Sequence, residues 1–300
     1  MVEETIDGIT FHLKKAHDFS FLKRYGKVFS VIDSTGSGCI CFGIENQEQK
    51  VFVKIAGAET TEAEVSKEES VHLLQHAATL YKELSHPNLI HLIEAYAIED
   101  LFVVVFDYAQ GECLFDHWNF DYYKAHPAVR TPWQRFYALP IEKKLKSAEV
   151  LFSFLIHCAK HNYIAVDFYD SSMLYDFDKD VVTLCDIDLF QKAPLINESG
   201  EDYWGTRRFK APEEYIQGAG IDERTNVFTL AAMLFSFFTP IEKKEMDMRY
   251  KMKEVLPPDR AFFTLNDEAY AVLRKALSRK KEDRYPTLNE FYNAWKEAIR

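Results

Sequence analysis

Cysteine is scarce in this 300-residue chain, and the five present, Cys39, Cys41, Cys113, Cys158 and Cys185, are odd in number. They sit in apolar contexts without the spacings of a zinc site or a disulfide framework, so reduced core thiols are expected. Long hydrophobic runs are missing too. The longest, 227 to 238, is too short to cross a bilayer and reads as a buried helix, and the first 20 residues show no signal-peptide core. Basic charge is short: 36 Lys and Arg against 47 Asp and Glu leave a net charge of −11. Nucleic acid is therefore not an expected partner, because phosphate binding needs clustered cations on one face. No internal repeat, low-complexity tract or acidic tail stands out. These absences leave a cytoplasmic chain with no membrane span, carrying local basic spots at Arg207, Arg208 and Lys210 and at 279–281.

What is present is apolar and aromatic. Hydrophobic residues make up 47% of the chain and aromatics 15%, enough to build a substantial core, and the length suits one large or two smaller domains. Apolar runs at 28–32, 39–44 and 50–55, separated by turns at 33–38 and 45–48, predict an antiparallel meander. Helical spacing covers 62–84 and ends before Pro87, and two further strands are predicted at 89–98 and 101–108. Gly111 follows a short connection at 107–110. Helical patterning resumes over 141–161, and beyond Glu213 apolar helices alternate with polar turns. The stretch 115–141 is crowded with aromatics and interrupted by Pro127, Pro132 and Pro140, and it matches no motif.

One run ties these pieces together: Gly205-Thr206-Arg207-Arg208-Phe209-Lys210-Ala211-Pro212-Glu213. Asp186 lies 27 residues before Glu213, and Asp167 lies 19 before Asp186. This order and spacing resemble the catalytic-loop Asp, metal-binding Asp and A-P-E segment of protein kinases of the Ser/Thr type. The resemblance runs from about Val28 to Arg300. It implies an α+β, two-lobed protein-kinase-like fold. Residues 1–108 would form a small antiparallel-sheet lobe with one main helix, and 109–300 a larger, mostly helical lobe.

The same resemblance implies ATP and magnesium as cofactors and a protein substrate or signalling partner. Lys54 falls at the strand lysine that contacts the nucleotide phosphates. The other nucleotide contacts it implies are Gly36, Gly38, Ile40, Phe106, Asp107, Ala109 and Glu112, with 107–112 along the adenine edge. Asp167 falls at the residue that orients the attacking hydroxyl, and Thr206 at the threonine beside it. Asp186 falls at the magnesium ligand, with Ser172 and Asp188 as further oxygen donors. Arg284 falls at the partner of the Glu213 carboxylate, and Asn226 at the acid that ties the catalytic loop.

The departures are as specific as the matches. Val166 replaces the arginine that reads a phosphorylated activation loop, Tyr169 replaces the catalytic-loop lysine, and Ser172 the metal-binding asparagine. Asp170 lies close by as a substitute ligand. Ala77 occupies the helix position of the glutamate that pairs with the strand lysine, while Glu68 and Glu69 come too early. The glycine turn places Asp33 and Thr35 where two glycines belong. Three readings follow: a protein-kinase-type phosphotransferase acting on Ser or Thr, a pseudokinase or scaffold that binds nucleotide with little turnover, and a small-molecule kinase. The complete activation-segment motif argues against the last.

Overall fold

β-branched and aromatic residues alternating with polar ones build a five-stranded antiparallel sheet in the first of two units, Met1–Gln110. The computed structural model describes residues 1–240, 248 and 251–300, and the second unit is Gly111–Arg300. This boundary falls two residues past the expected 108. Each unit has the α+β make-up anticipated above, an antiparallel sheet with one main helix in the first and a largely helical second.

A hairpin of β1 (Val2–Ile6) and β2 (Ile9–Leu13) opens the first unit. β3 (Lys27–Ile32), β4 (Ile40–Glu45) and β5 (Lys50–Ala56) form the meander. Helix α1 (Lys67–Glu83) precedes β6 (Leu92–Ile98) and β7 (Leu101–Asp107), and the sheet order is β3-β4-β5-β7-β6. Side chains alternate between faces along each strand. One face gathers Ile40, Phe42, Val53, Ile55 and Val103 against Phe11, Leu13, Phe19 and Leu22 of the first 25 residues. The other face meets α1, where Tyr81 packs edge-on to Phe106 with centroids 4.7 Å apart.

Two details differ from expectation. The helix starts at Lys67, not 62, because the Ser66 side chain accepts a hydrogen bond from the Glu69 N–H at 3.1 Å and caps it. The β1–β2 hairpin was not anticipated either. Its turn is Asp7-Gly8, both with positive φ, the strongest short hairpin signal a sequence carries. The glutamates of β1 obscure the alternation around that turn.

In the second unit, β8 (Glu112–Cys113) is followed by α2 (Phe120–Ala125), α3 (Pro132–Tyr137) and α4 (Ile141–Lys160). Short strands come next: β9 (Tyr163–Ile164), β10 (Met173–Asp176), β11 (Val181–Leu184), β12 (Gln191–Lys192), β13 (Leu195–Ile196) and β14 (Gly220–Ile221). They pair as β8-β10-β11, β9-β12 and β13-β14. Helices α5 (Glu223–Phe238), α6 (Asp267–Ala276) and α7 (Leu288–Ala298) complete the described residues. Helix α5 is apolar nearly all round because it is central: it packs on α4, α6 and α7. No helix among the described residues is long and apolar enough to cross a membrane.

The aromatic stretch 115–141 divides in two. Phe136 is buried against Tyr175 and Phe237, and Trp133 also packs on Phe237. Trp118, Phe120 and Tyr122 instead stand about half exposed, at 46, 51 and 50%.

Candidate active site

In the first unit, Lys54 sits on β5 directly opposite Cys41 of β4 and Val104 of β7. Cys41 therefore shares the face of Lys54, whereas Ile40 points into the core beneath the hairpin. Ile40 is thus corrected as a nucleotide contact, since a one-residue shift in a strand reverses the face. Phe106 lies on the α1 side with Lys54. The Asp107 carboxylate is exposed and engaged by His91 Nδ1 at 2.9 Å, and Ala109 is half-buried.

The turn carrying Gly36 and Gly38 is tied down. The Gly38 N–H donates to Thr35 O at 3.2 Å, and Gly36 O accepts from the Glu64 N–H at 2.9 Å. Gly38 has φ +72, a backbone that favours glycine, and a Cβ there would lie 3.2 Å from Ser70 Oγ, so that side chain would have to give way. It lines a cavity of about 350 Å³ with Lys14, Glu59 and Lys67. The Asp33 carboxylate is held by the hairpin, accepting the His12 N–H at 2.8 Å. On α1, Ala77 is fully buried while Glu68 and Glu69 are exposed, so the buried face of this helix carries no carboxylate.

In the second unit, Asp167 follows β9 and Asp186 follows β11, both with left-handed backbone, φ 56 and 55. Such geometry costs about 1–3 kcal/mol for a non-glycine residue and clusters at functional sites. Three contacts hold the loop around Asp167. Asn226 Oδ1 accepts the Ala165 N–H at 2.9 Å and its Nδ2 donates to Ala165 O at 2.7 Å. Phe168 is buried between Phe154 and Phe190. The Thr206 backbone N–H reaches the Asp167 carboxylate. Burial and the neighbouring Asp186 carboxylate push Asp167 up to about 7, against the opposing pull of Lys210 and the Thr206 N–H.

Asp186 is exposed and Asp188 half-buried, flanking the fully buried Ile187. Ser172 is fully buried and its Oγ has no hydrogen-bond partner, while its carbonyl accepts the Cys185 N–H at 3.0 Å. Asp170, expected as a spare metal ligand, is occupied: Arg208 grips it with both terminal nitrogens, Nη1 at 2.7 Å. Glu112 is likewise engaged, accepting from Arg135 Nη1 at 2.7 Å. Among the described residues no three His, Cys, Asp or Glu side chains gather into a metal site. Magnesium needs only one or two carboxylates, because water and phosphate oxygens fill the rest of its shell. The orphaned Ser172 hydroxyl and the mutual repulsion of Asp167 and Asp186 fit a cation beside them.

The activation segment is fastened by its own residues. Val166 lies in an apolar cluster with Ile164, Tyr203 and Ile221, so the place of the phosphate-reading arginine is packed with hydrocarbon. Lys210 donates to Glu201 O at 3.1 Å and to Tyr203 O. Asn197 Nδ2 donates to Gly200 O at 2.9 Å. Burial raises Glu214 to about 8. Glu213 and Arg284 form a buried bidentate pair, and Thr225 Oγ1 donates to Glu213 at 2.7 Å. The roles of Arg208, Lys210 and Glu214 were not foreseen; the basic spot at 207–210 was the visible signal.

A family model described as a protein kinase domain matches residues 29–295. Among curated relatives, the tyrosine-protein kinase MasK of Myxococcus xanthus is 24% identical over 245 residues, 75% of this chain and 35% of its own length. The probable serine/threonine-protein kinase CPE1738 of Clostridium perfringens is 20% identical over 276 residues, 89% of this chain and 38% of its own. The chain thus spans little more than a third of the length of these curated relatives.

Proposed function

The chain belongs to the protein kinase family, and from that membership we propose that it transfers the γ-phosphate of ATP to serine or threonine hydroxyls of a protein substrate or signalling partner. The observation that carries this reading is the convergence on Asp167: a carboxylate on a loop held by Asn226 and Phe168, bonded by the Thr206 N–H and facing Asp186. Phosphoryl transfer asks for an oriented hydroxyl and neutralised charge more than for covalent help. Asp167 orients the acceptor hydroxyl and takes its proton. Thr206 fixes the carboxylate. Lys54 would hold the ATP phosphates, and Asp186, with Asp188 two residues on and Ser172 tied to the neighbouring Cys185 N–H, the magnesium that neutralises them. Five reduced thiols and the acidic composition support a cytoplasmic setting without nucleic acid.

Turnover on this reading is slow and independent of activation-segment phosphorylation, since Val166 cannot pair with a phosphate. A radiolabelled-ATP assay with dephosphorylated casein and Mg²⁺ is the test, run beside Asp167→Asn. Loss of about 10²- to 10⁴-fold in the variant is expected. Equal incorporation by both proteins would overturn the assignment.

The second reading, nucleotide binding with little turnover, is favoured by the pinned glycine turn and by the missing carboxylate on the buried face of α1. Thermal-shift titration separates them: stabilisation by Mg-ATP without incorporation supports the scaffold, and stabilisation with incorporation supports the enzyme.

A further inference from the structure

Arg208 and Asp170 are both polar residues that a core normally excludes, 5% and 2% exposed. The guanidinium spans both carboxylate oxygens and lies over the Phe115 ring at 3.9 Å, with Phe209 and Tyr169 at 4.9 and 5.7 Å. Only arginine combines a planar two-pronged donor with a face that stacks on aromatic rings. Asp170 is three residues beyond Asp167, and Arg208 is two residues beyond Thr206. The Arg208 pair and the Thr206 N–H bond to Asp167 are therefore two adjacent cross-links between the same two segments, 167–170 and 206–208. Each alone leaves its segment free to pivot about the other, so both are needed to fix the register.

We propose that Arg208 is a positioning residue for the reaction: its clasp on Asp170 locks the catalytic loop to the activation segment and so replaces the phosphate-dependent pairing that Val166 cannot make. The polarity of the link is inverted. The acid stands on the catalytic loop and the cation on the activation segment, so no added phosphate is needed to complete it. The proposal rests on the phosphotransferase reading, and it places the fixed charge where only disruption, not phosphorylation, can alter it.

The test compares wild type, Arg208→Gln, Arg208→Lys, Asp170→Asn and the reversal Arg208→Asp with Asp170→Arg. Casein phosphorylation, hydrogen exchange at 165–172 and 205–210, and melting temperature are followed together. Arg208→Gln should lower kcat about 100-fold, the scale of a small misplacement of reacting groups, with the KM for Mg-ATP unchanged. Exchange should rise in those two segments and not elsewhere, Arg208→Lys should recover part of kcat, and the reversal should restore exchange protection. Phosphatase-treated wild type should keep full activity. Wild-type kcat and exchange in Arg208→Gln would overturn the proposal, as would a uniform rise in exchange over the whole second unit without rescue by Arg208→Lys. If wild type itself transfers no phosphate, the phosphotransferase reading fails, and the exchange data alone decide whether the clasp exists.

Discussion

The Arg284 guanidinium closes on Glu213 with two parallel hydrogen bonds, Nη1 to Oε1 at 2.7 Å and Nη2 to Oε2 at 2.8 Å, across 71 residues of chain. Arg284 is fully buried and also donates to the carbonyls of Arg224, Ser278 and Arg279, so it joins the end of the activation segment to the turn before α7. Arg284→Met strands a buried carboxylate and should cost about 3–5 kcal/mol, read from urea midpoints. Adding Glu213→Gln to it should recover a large part. A loss under 1 kcal/mol for the single variant would contradict the argument.

Glu214 sets a pH dependence. Burial raises its carboxyl to about 8, from 4.5, although its Oε2 accepts the Ala211 N–H at 2.6 Å. The folded protein thus keeps a proton that the unfolded chain has released. The stability this confers is complete below pH 4.5 and drains away as the pH rises to about 8, by at most about 1.4 kcal/mol per unit. Glu214→Gln should flatten that slope between about pH 5 and pH 8, measured as the difference in unfolding free energy from wild type. An identical slope in the variant would refute it.

Tyr203 gives a sharper test of phosphorylation independence than phosphatase alone. Its hydroxyl is buried without a partner, and its ring packs with Val166, so modification would require the segment to open. Tyr203→Phe and Ser199→Ala should both retain full phosphotransfer. Tyr203→Phe should be neutral or stabilising by about 1 kcal/mol, since it deletes an unsatisfied polar group. A large loss of activity in either variant would point to a regulatory phosphate.

The aromatic stretch 115–141 should respond in halves. Paired alanines at Trp133 and Phe136 remove rings packed on Phe237 and should lower the unfolding free energy strongly, by about 3–5 kcal/mol for the phenylalanine alone. Trp118→Ala with Tyr122→Ala touches side chains about half exposed and should leave stability nearly unchanged. Lost casein phosphorylation at that unchanged stability would mark a contact platform. Unchanged phosphorylation would mark surface padding.

Much of this was legible because the motifs carry their partners in register. The family resemblance put Asn226 at the tie to the catalytic loop and Arg284 at Glu213, and the structure shows Asn226 on Ala165 and Arg284 on Glu213. Register inside a strand is harder. Ile40 and Cys41 are equally apolar, and only the pairing of Cys41 with Lys54 decides which one faces the lysine. Tertiary contacts were beyond reach. The binding of the glycine turn to residues 60–70 and the capture of Asp170 by Arg208 depend on segments that no local pattern links.

The hairpin and the residues that follow it limit how far this chain can be trimmed. Family similarity begins at residue 29, yet Phe11, Leu13, Phe19 and Leu22 cover the sheet face formed by Ile40, Phe42 and Val53. A fragment trimmed to the recognisable region would bare that face to water and present it to other chains, a large apolar patch of the kind that drives aggregation. The folding unit of this chain is therefore larger than its recognisable region, with the first 25 residues serving as the cover of its sheet.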